Sequence, residues 1–300
     1  MIGNSNMKKF DDIYEIVHSE CEQDLERTRN RTIVNTIVIL GIIIIIICFL
    51  IKIQLYGFII PVAIVAIFLF SKIIKNNRNY QKLFREKVIK RFVEEYSSNL
   101  KYEPSRGGFP GSYSRGEFEK FDNFESENLI KGLLNEYCRI NMSEVRTKKI
   151  YTDENDNKYY KTLFHGLFIE ADFKKFVNAK IKIRKDFTIL YENKDKLEMD
   201  SGEFEKIFDV YADNKIIAMQ LLTADVMQLL IDFKQDNKLI PEITIKGNEL
   251  YIRMETGDIF DANLLKKSFD YNMLLKYYNI INFSLNLTEK IVKNIRETEL

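Results

Sequence analysis

Apolar positions change their spacing several times along this 300-residue chain, and each change predicts a different element. Phe10, Ile13, Tyr14, Val17, Cys21 and Leu25 recur at three- and four-residue steps, the pattern of one helix face. From Thr32 to Ile51 the chain runs 20 residues without a charge, enough for a helix of about 30 Å, the thickness of a bilayer's hydrocarbon core. Leu55 to Ser71 adds 17 more, and a snorkelling Lys72 extends that span to residue 74. A single helix from Ile33 to Phe70 would be about 57 Å long and would hold Lys52 near mid-membrane. The polar break Lys52-Ile53-Gln54 therefore predicts two antiparallel spans, about 32–51 and 55–74. After them, Tyr80, Phe84, Val88, Phe92 and Tyr96 repeat the helical period, with Leu83, Ile89 and Val93 widening the stripe. The two amphipathic segments abut the two spans, so they are expected to pair as an antiparallel stalk. A cleaved secretory leader is the rival reading. The apolar stretch is too long for it, the leader is acidic, and no small-residue cleavage site follows.

From residue 127 the period shortens toward two. "YYKTLFHGLFIEADF" is apolar on both faces, with Phe164 and Phe168 on one and Leu167, Ile169 and Ala171 on the other. Such a strand belongs at the centre of a sheet covered on both sides. "LLNEYCRI" and "SEVRTKKIYT" predict strands on either side of Asn141-Met142. "IFDVYADNKIIAMQLL" predicts strands about a turn at Asp213-Asn214, and "ITIKGNELYIR" a hairpin with a Gly-Asn turn. Thr223 is placed to cap a helix from Ala224 to about Lys234, and Leu264 to Arg296, with Leu264 and Leu265 at its start, reads mainly as helix. The expected fold class is α+β: a two-span transmembrane hairpin with a helical stalk, then a mostly antiparallel sheet with helices. The expected divisions are an amphipathic helix (1–31), the hairpin (32–75), a stalk helix (76–100), a Gly/Pro-rich linker (101–126) and the α+β domain (127–300).

The stretches "SEVRTKKIYT", "YKTLFHGLFIEADFKK", "FEKIFDVYADNKIIAMQLLTADVMQLLIDF" and "ITIKGNELYIR" resemble a bacterial membrane-protein family known as domain of unknown function 3137. The likeness extends over the leader, the hairpin and the stalk. "FHGLFIEADF" and "FDVYADNK" are its most specific parts. The resemblance implies no activity and no catalytic residues.

Charge narrows the partners. The chain has 45 basic and 44 acidic residues, of which eight and seven precede residue 76. A net-neutral soluble region lacks the concentrated positive charge that nucleic-acid binding needs. Arg27, Arg29 and Arg31 precede the first span, and Lys72, Lys75, Arg78, Lys82 and Arg85 follow the second, against Lys52 alone in the turn. The positive-inside rule then puts the N-terminus and the main domain in the cytoplasm of a bacterial inner-membrane protein. Cys21, Cys48 and Cys138 show neither metal-ligand nor redox spacing and are too few for a disulfide framework.

Candidate chemistry is sparse. His165 is the domain's single histidine, but Glu170 and Asp172 lie an odd number of residues away, on the opposite face, so no local dyad forms. Glu170 and Asp172 share a face and are the candidate paired carboxylates, although Lys174 and Lys175 after them read as a strand emerging into solvent. "DENDNK" (153–158) imitates a calcium loop but has Lys158 and Phe164 where glycine and glutamate are required, so it reads as a hairpin turn. Arg106 and Arg115 among glycines lack the rest of a phosphate cradle. Asn35 reads as bonding across the hairpin or to a second copy of the chain. No cofactor or metal is expected. The expected partners are the bilayer and a cytoplasmic protein or small ligand. Three functions follow from this: a binding or scaffold module, a tethered enzyme built around His165, and a pleckstrin-like membrane-surface sensor.

Overall fold

The computed structural model describes residues 8–54, 57, 59–186, 196–262 and 269–298. It forms two compact units, Lys9–Phe92 with Phe260–Leu274, and Val93–Ile259 with Leu275–Leu300.

In the first unit, helix α1 (Phe10–Lys52) ends at a turn where Gln54 adopts φ +58°, and helix α2 (Ile59–Phe84) follows. The expected first residue of the second span, Leu55, lies outside the described residues. A π-helical turn (Arg85–Ile89) and helix α3 (Lys90–Tyr96) continue α2. The π turn inserts one residue into the stripe, which is why both Val88 and Ile89 are buried between Phe84 and Phe92. Facing them, Ile13, Val17 and Leu25 of α1 are fully buried. Ion pairs Arg91–Glu20 (2.8 Å) and Lys87–Asp24 (2.6 Å) flank the seam. The predicted stalk is thus present, held by an apolar seam with a charged rim. Residues 260–274 join this unit through Arg85–Asp261 (3.0 Å) and the paired side chain of Gln81 with the backbone of Ala262. Tyr271 packs edge-on against Phe10 and Tyr14, both at 5.0 Å. His18 lies 3.1 Å from Glu22 and edge-on to Phe269.

Two helices among the described residues are long and apolar enough to cross a membrane, α1 and the run Ile60–Tyr96. Their apolar windows are wholly unburied, with Ile45 69% and Phe68 73% exposed. A contiguous apolar surface of this size is tolerated in lipid, not in water.

The second unit is α+β. Among the described residues seven strands form one antiparallel sheet: β1 (Leu100–Glu103), β2 (Asn123–Asn135), β3 (Cys138–Thr152), β4 (Lys158–Lys185), β5 (Lys196–Leu197), β6 (Phe208–Ala212) and β7 (Glu242–Met254). The order is β1-β2-β3-β4-β6-β5, and β7 also pairs with β4. β4 is the spine: Leu167–Asp172 pairs with β3 on one edge and β7 on the other, and Ile181–Ile183 with β6 and β7. Phe164 and Phe168 on one face and Leu167, Ile169 and Ala171 on the other are all buried, as their two-sided pattern requires. Helices α5 (Gly202–Glu205), α6 (Lys215–Leu221), α7 (Ala224–Asn237) and α8 (Tyr271–Glu297) complete the unit. Phe233 of α7 stacks on Phe283 of α8, and Asn294 of α8 donates to the Leu221 carbonyl that ends α6 (3.0 Å).

Several local expectations differ from the structure. "KIIAMQL" is helix α6: the Asn214 side chain accepts from the Ile217 N–H, capping a helix whose buried residues are Ile217, Ala218 and Leu221. "ITIKGNELYIR" is one strand without a turn. Gly247 takes φ +62° there, and β7 passes the stretch of β4 between Asp172 and Lys180, which bulges against it. The break between β2 and β3 falls at Glu136-Tyr137, and β3 runs through Met142, which pairs with Ile130 and Ile169. α8 begins at Tyr271, and Leu264 and Leu265 lie outside the described residues. The turn at 153–158 is as expected, with Asp153 Oδ1 accepting from the Asn155 and Asn157 N–H groups.

The largest difference concerns the stretch expected to be a linker. After β1, residues 104–122 form an arm with helix α4 (Pro110–Arg115), laid across one face of the sheet. Tyr113 of the arm is fully buried among Val145, Phe164, Phe168 and Tyr251. The arm's glycines serve close approach here: a Cβ on Gly107 would lie 2.3 Å from the Ser126 carbonyl carbon, and the Gly108 N–H donates to Ser126 Oγ and Ser143 Oγ.

Gly107→Ala is expected to lower the thermal unfolding midpoint of the full chain by several degrees, because the added methyl meets strand backbone that cannot retreat. Gly202→Ala, with nothing within 4 Å of its Cβ, is expected to leave the midpoint within about a degree. Differential scanning calorimetry of both variants in detergent checks the pair, and equal midpoints would mean the arm is not seated.

Candidate functional site

The three candidate residues start from β4, whose alternation separates them. His165 points to one face, and Glu170 and Asp172 to the other. The structure does not bring them together.

On the first face, His165 gains partners that are distant in sequence. Arg146 is its cross-strand neighbour on β3, with Nη2 2.9 Å from Nε2. Asp258 Oδ1, from the chain after β7, is 2.6 Å from the same nitrogen. A single ring nitrogen cannot both donate to the carboxylate and accept from the guanidinium, so the Asp258 bond requires Nε2 to carry the proton. Arg146 then adds a long contact to Asp258 at 3.4 Å. What delivers Asp258 is Gly166. The chain after β7 lies so close to it that a Cβ would be 2.0 Å from the Met254 carbonyl oxygen, and the Gly257 N–H donates to the His165 carbonyl at 3.1 Å. A glycine inside a strand signals this kind of backbone approach, which is the one sequence clue to His165's partner. Among the described residues no hydroxyl or thiol is hydrogen-bonded to His165. Beside this cluster, buried Glu144 accepts from the Asn128 side chain and from the Ile259 N–H, and Asn128 in turn accepts from the Tyr102 hydroxyl at 2.6 Å.

On the other face the arm supplies the partners. Arg115 donates to Glu170 (3.0 Å), to Glu249 (3.1 Å) and to the Tyr251 hydroxyl (2.8 Å). Glu170 is therefore neutralised by a guanidinium, and the same contacts consume the cation that hinted at a phosphate cradle. Arg106 pairs with Glu103. Asp172 accepts from the Asn248 side chain at 2.9 Å. Glu117, in a left-handed conformation at φ +51°, gathers Lys182 (2.8 Å), Lys246 (3.0 Å) and Lys180 (3.3 Å). Those ammonium groups hold its carboxyl well below the usual range, down to about 2.

Deeper under the arm, Phe118 sits near two guanidinium groups, Arg253 at 4.7 Å and Arg184 at 4.8 Å from its ring centre. Arg253 is matched by Glu242 (2.6 Å) and Glu119, and donates to the Tyr113 hydroxyl (2.9 Å). Arg184 reaches the Ile243 carbonyl (2.6 Å) and Thr244 Oγ1 (2.8 Å). Burial lowers its affinity for protons to a pKa of about 10. The Cys138 thiol is likewise pushed up to about 12, chiefly by burial, and all three cysteines are free. These pairings clamp the arm. Apart from Arg253–Glu242, which are 11 apart on β7, each joins residues 55 or more apart in the chain or involves a residue of the presumed linker, which is why sequence reading missed them.

Residues 162–293 match the family described as "Protein of unknown function (DUF3137)". No curated protein matches the chain. Among solved structures, the chain is similar to the crystal structure of the mycobacterial trehalose monomycolate transport factor A, TtfA. The likeness covers 61% of this chain and 88% of that one, at 10% identity and a TM-score of 0.32. Likeness at that level transfers no function.

Because the folded-state pKa of Glu117 lies below its unfolded value, its lysine contacts stabilise the fold fully above about pH 4.5, and that stabilisation is lost as pH falls toward 2. Glu117→Gln is therefore expected to be less stable than the parent at pH 6, with the difference shrinking to nothing near pH 2. Urea midpoints of both proteins across that range measure it, and a pH-independent difference would refute the assignment.

Proposed function

We propose that the chain is an integral membrane protein of a bacterial inner membrane that presents its α+β domain to the cytoplasm as a binding or scaffold module. The observation that carries this reading is the use made of the candidate catalytic groups. His165, Glu170 and Asp172 lie on two faces of one strand, and each is engaged by a different partner, Asp258, Arg115 or Asn248. Catalysis needs its groups to converge on one reacting atom. Here the ionisable side chains hold backbone segments in place, which suits a rigid display surface. The domain's charge parity fits a protein or small ligand better than nucleic acid.

Orientation in this proposal rests on the basic flanks, Arg27, Arg29 and Arg31 before α1's apolar run and Lys72, Lys75 and Arg78 after α2's, against Lys52 at the turn. A second reading, a tethered enzyme centred on His165, is favoured by the 2.6 Å His165–Asp258 contact, since a carboxylate that orients an imidazole is one part of a general-base pair.

Two measurements test these readings. With Cys21, Cys48 and Cys138 replaced by alanine and Glu154→Cys in the exposed β3–β4 turn, a membrane-impermeant maleimide is expected to label opened cells and leave intact cells unlabelled. Labelling of intact cells would reverse the orientation. In the second, the purified full chain is expected to turn over p-nitrophenyl esters and phosphates no faster than its His165→Gln variant. A rate in the parent that His165→Gln lowers by about a hundredfold, the scale of a lost general base, would replace the scaffold with the enzyme.

A further inference from the structure

The β2–β3 turn, the start of the β4 bulge and the last turn of α8 meet around Tyr137. The Arg296 guanidinium from α8 lies 3.9 Å from the centre of the Tyr137 ring, and Lys174 Nζ from β4 lies 5.4 Å from it. Lys175 donates to the Arg296 carbonyl at 3.4 Å and to that of Thr298, so it occupies the negative end of α8. Two of these cations share one ring. Among the described residues no carboxylate forms an ion pair with any of the three. The contrast with the arm face is direct, since Arg115, Lys180, Lys182 and Lys246 all meet glutamates there. Below the cations, Phe173, Val292 and Ile295 form the apolar floor of a cleft of about 340 Å³.

We infer that this cleft binds an anionic phospholipid through its phosphate, which bridges Lys174, Lys175 and Arg296. The cations supply charge complementarity, and a bridging anion relieves their mutual repulsion. Two helices apolar enough to cross a bilayer tie the domain to a lipid source at high effective concentration. This inference names a ligand class the scaffold role leaves open. It holds for either orientation of the chain, because it rests on residues of the one unit that carries the sheet.

The test uses the full chain in detergent, offered equimolar dioleoyl-phosphatidylglycerol and dioleoyl-phosphatidylcholine, with bound lipid read by native mass spectrometry. The parent is expected to retain phosphatidylglycerol preferentially. The Lys174→Gln/Lys175→Gln/Arg296→Gln variant is expected to lose about tenfold or more of that retention, with its thermal midpoint followed because Lys175 also caps α8 and Arg296 packs on Tyr137. Lys174→Gln alone, a change at one exposed side chain, is expected to lose about two- to fivefold and serves if the triple variant is unstable. Lys174→Arg is expected to retain the lipid as the parent does. Parental retention by the triple variant would assign the lipid to the basic flanks of the spans and overturn the inference. Absence of any preference for phosphatidylglycerol would overturn it too. Displacement of the lipid by inorganic phosphate, measured against sodium chloride at matched ionic strength, would make the cleft a free-anion site.

Discussion

Strand β4 cannot leave either of its faces to water. Over Phe164–Ala171 it carries large apolar side chains on both sides, and water contact for that much surface would cost of order 25 cal/mol for each Å² exposed. β3 and β7 satisfy its edges, but faces need layers, and the Phe164/Phe168 side is covered from outside the sheet. The arm of residues 104–122 does that work with one short helix and a set of rings around Tyr113. Its glycines set how near the arm approaches, and its Arg115, Glu117 and Glu119 meet charges already standing on the sheet.

The charged layer under the arm follows from the same constraint. Arg184 and Arg253 stand on the covered face, and a guanidinium enclosed there persists only with acceptors around it. Glu242 and Glu119 supply opposite charge, carbonyls and a threonine hydroxyl take the remaining N–H groups, and Phe118 presents its ring to both cations. Once those positions are filled, Glu170 and Arg115 belong to the closure of the sheet. His165, on the opposite face, is left to pair with whatever the chain beyond β7 brings, and Gly166 admits Asp258.

The unit built on α1 and α2, two helices long and apolar enough to cross a membrane, obeys a different rule. In lipid each helix satisfies its own backbone, so the apolar runs of α1 and α2 need no partner to exist. Outside the apolar windows, the seam of Ile13, Val17 and Leu25 against Phe84, Val88 and Phe92 must be buried again, and α1 and α2 do so by continuing as a pair. The π-helical turn at Arg85–Ile89 keeps that seam in phase over its length.

How much of this was legible follows from range. Periodicity reports which face of an element is buried, so the two apolar runs, the stalk stripes and the two-sided strand were readable from the residues alone, and with them the α+β class. Short segments were misread where a local cue had two meanings. Asn214 serves a turn and a helix cap equally, and Gly247 serves a hairpin and a bulge; the choice belongs to the neighbours that pair with them. Glycine and proline in residues 104–111 signalled a linker because composition records the absence of side chains and not what fills the space. The partners of His165, Glu170 and Arg115, and the meeting of Tyr137 with Arg296, come from residues brought together only by strand register and chain crossing. The sequence by itself determined which surfaces had to be covered. Tertiary structure alone decided what covers them, because burial demands a partner without specifying which part of the chain supplies it.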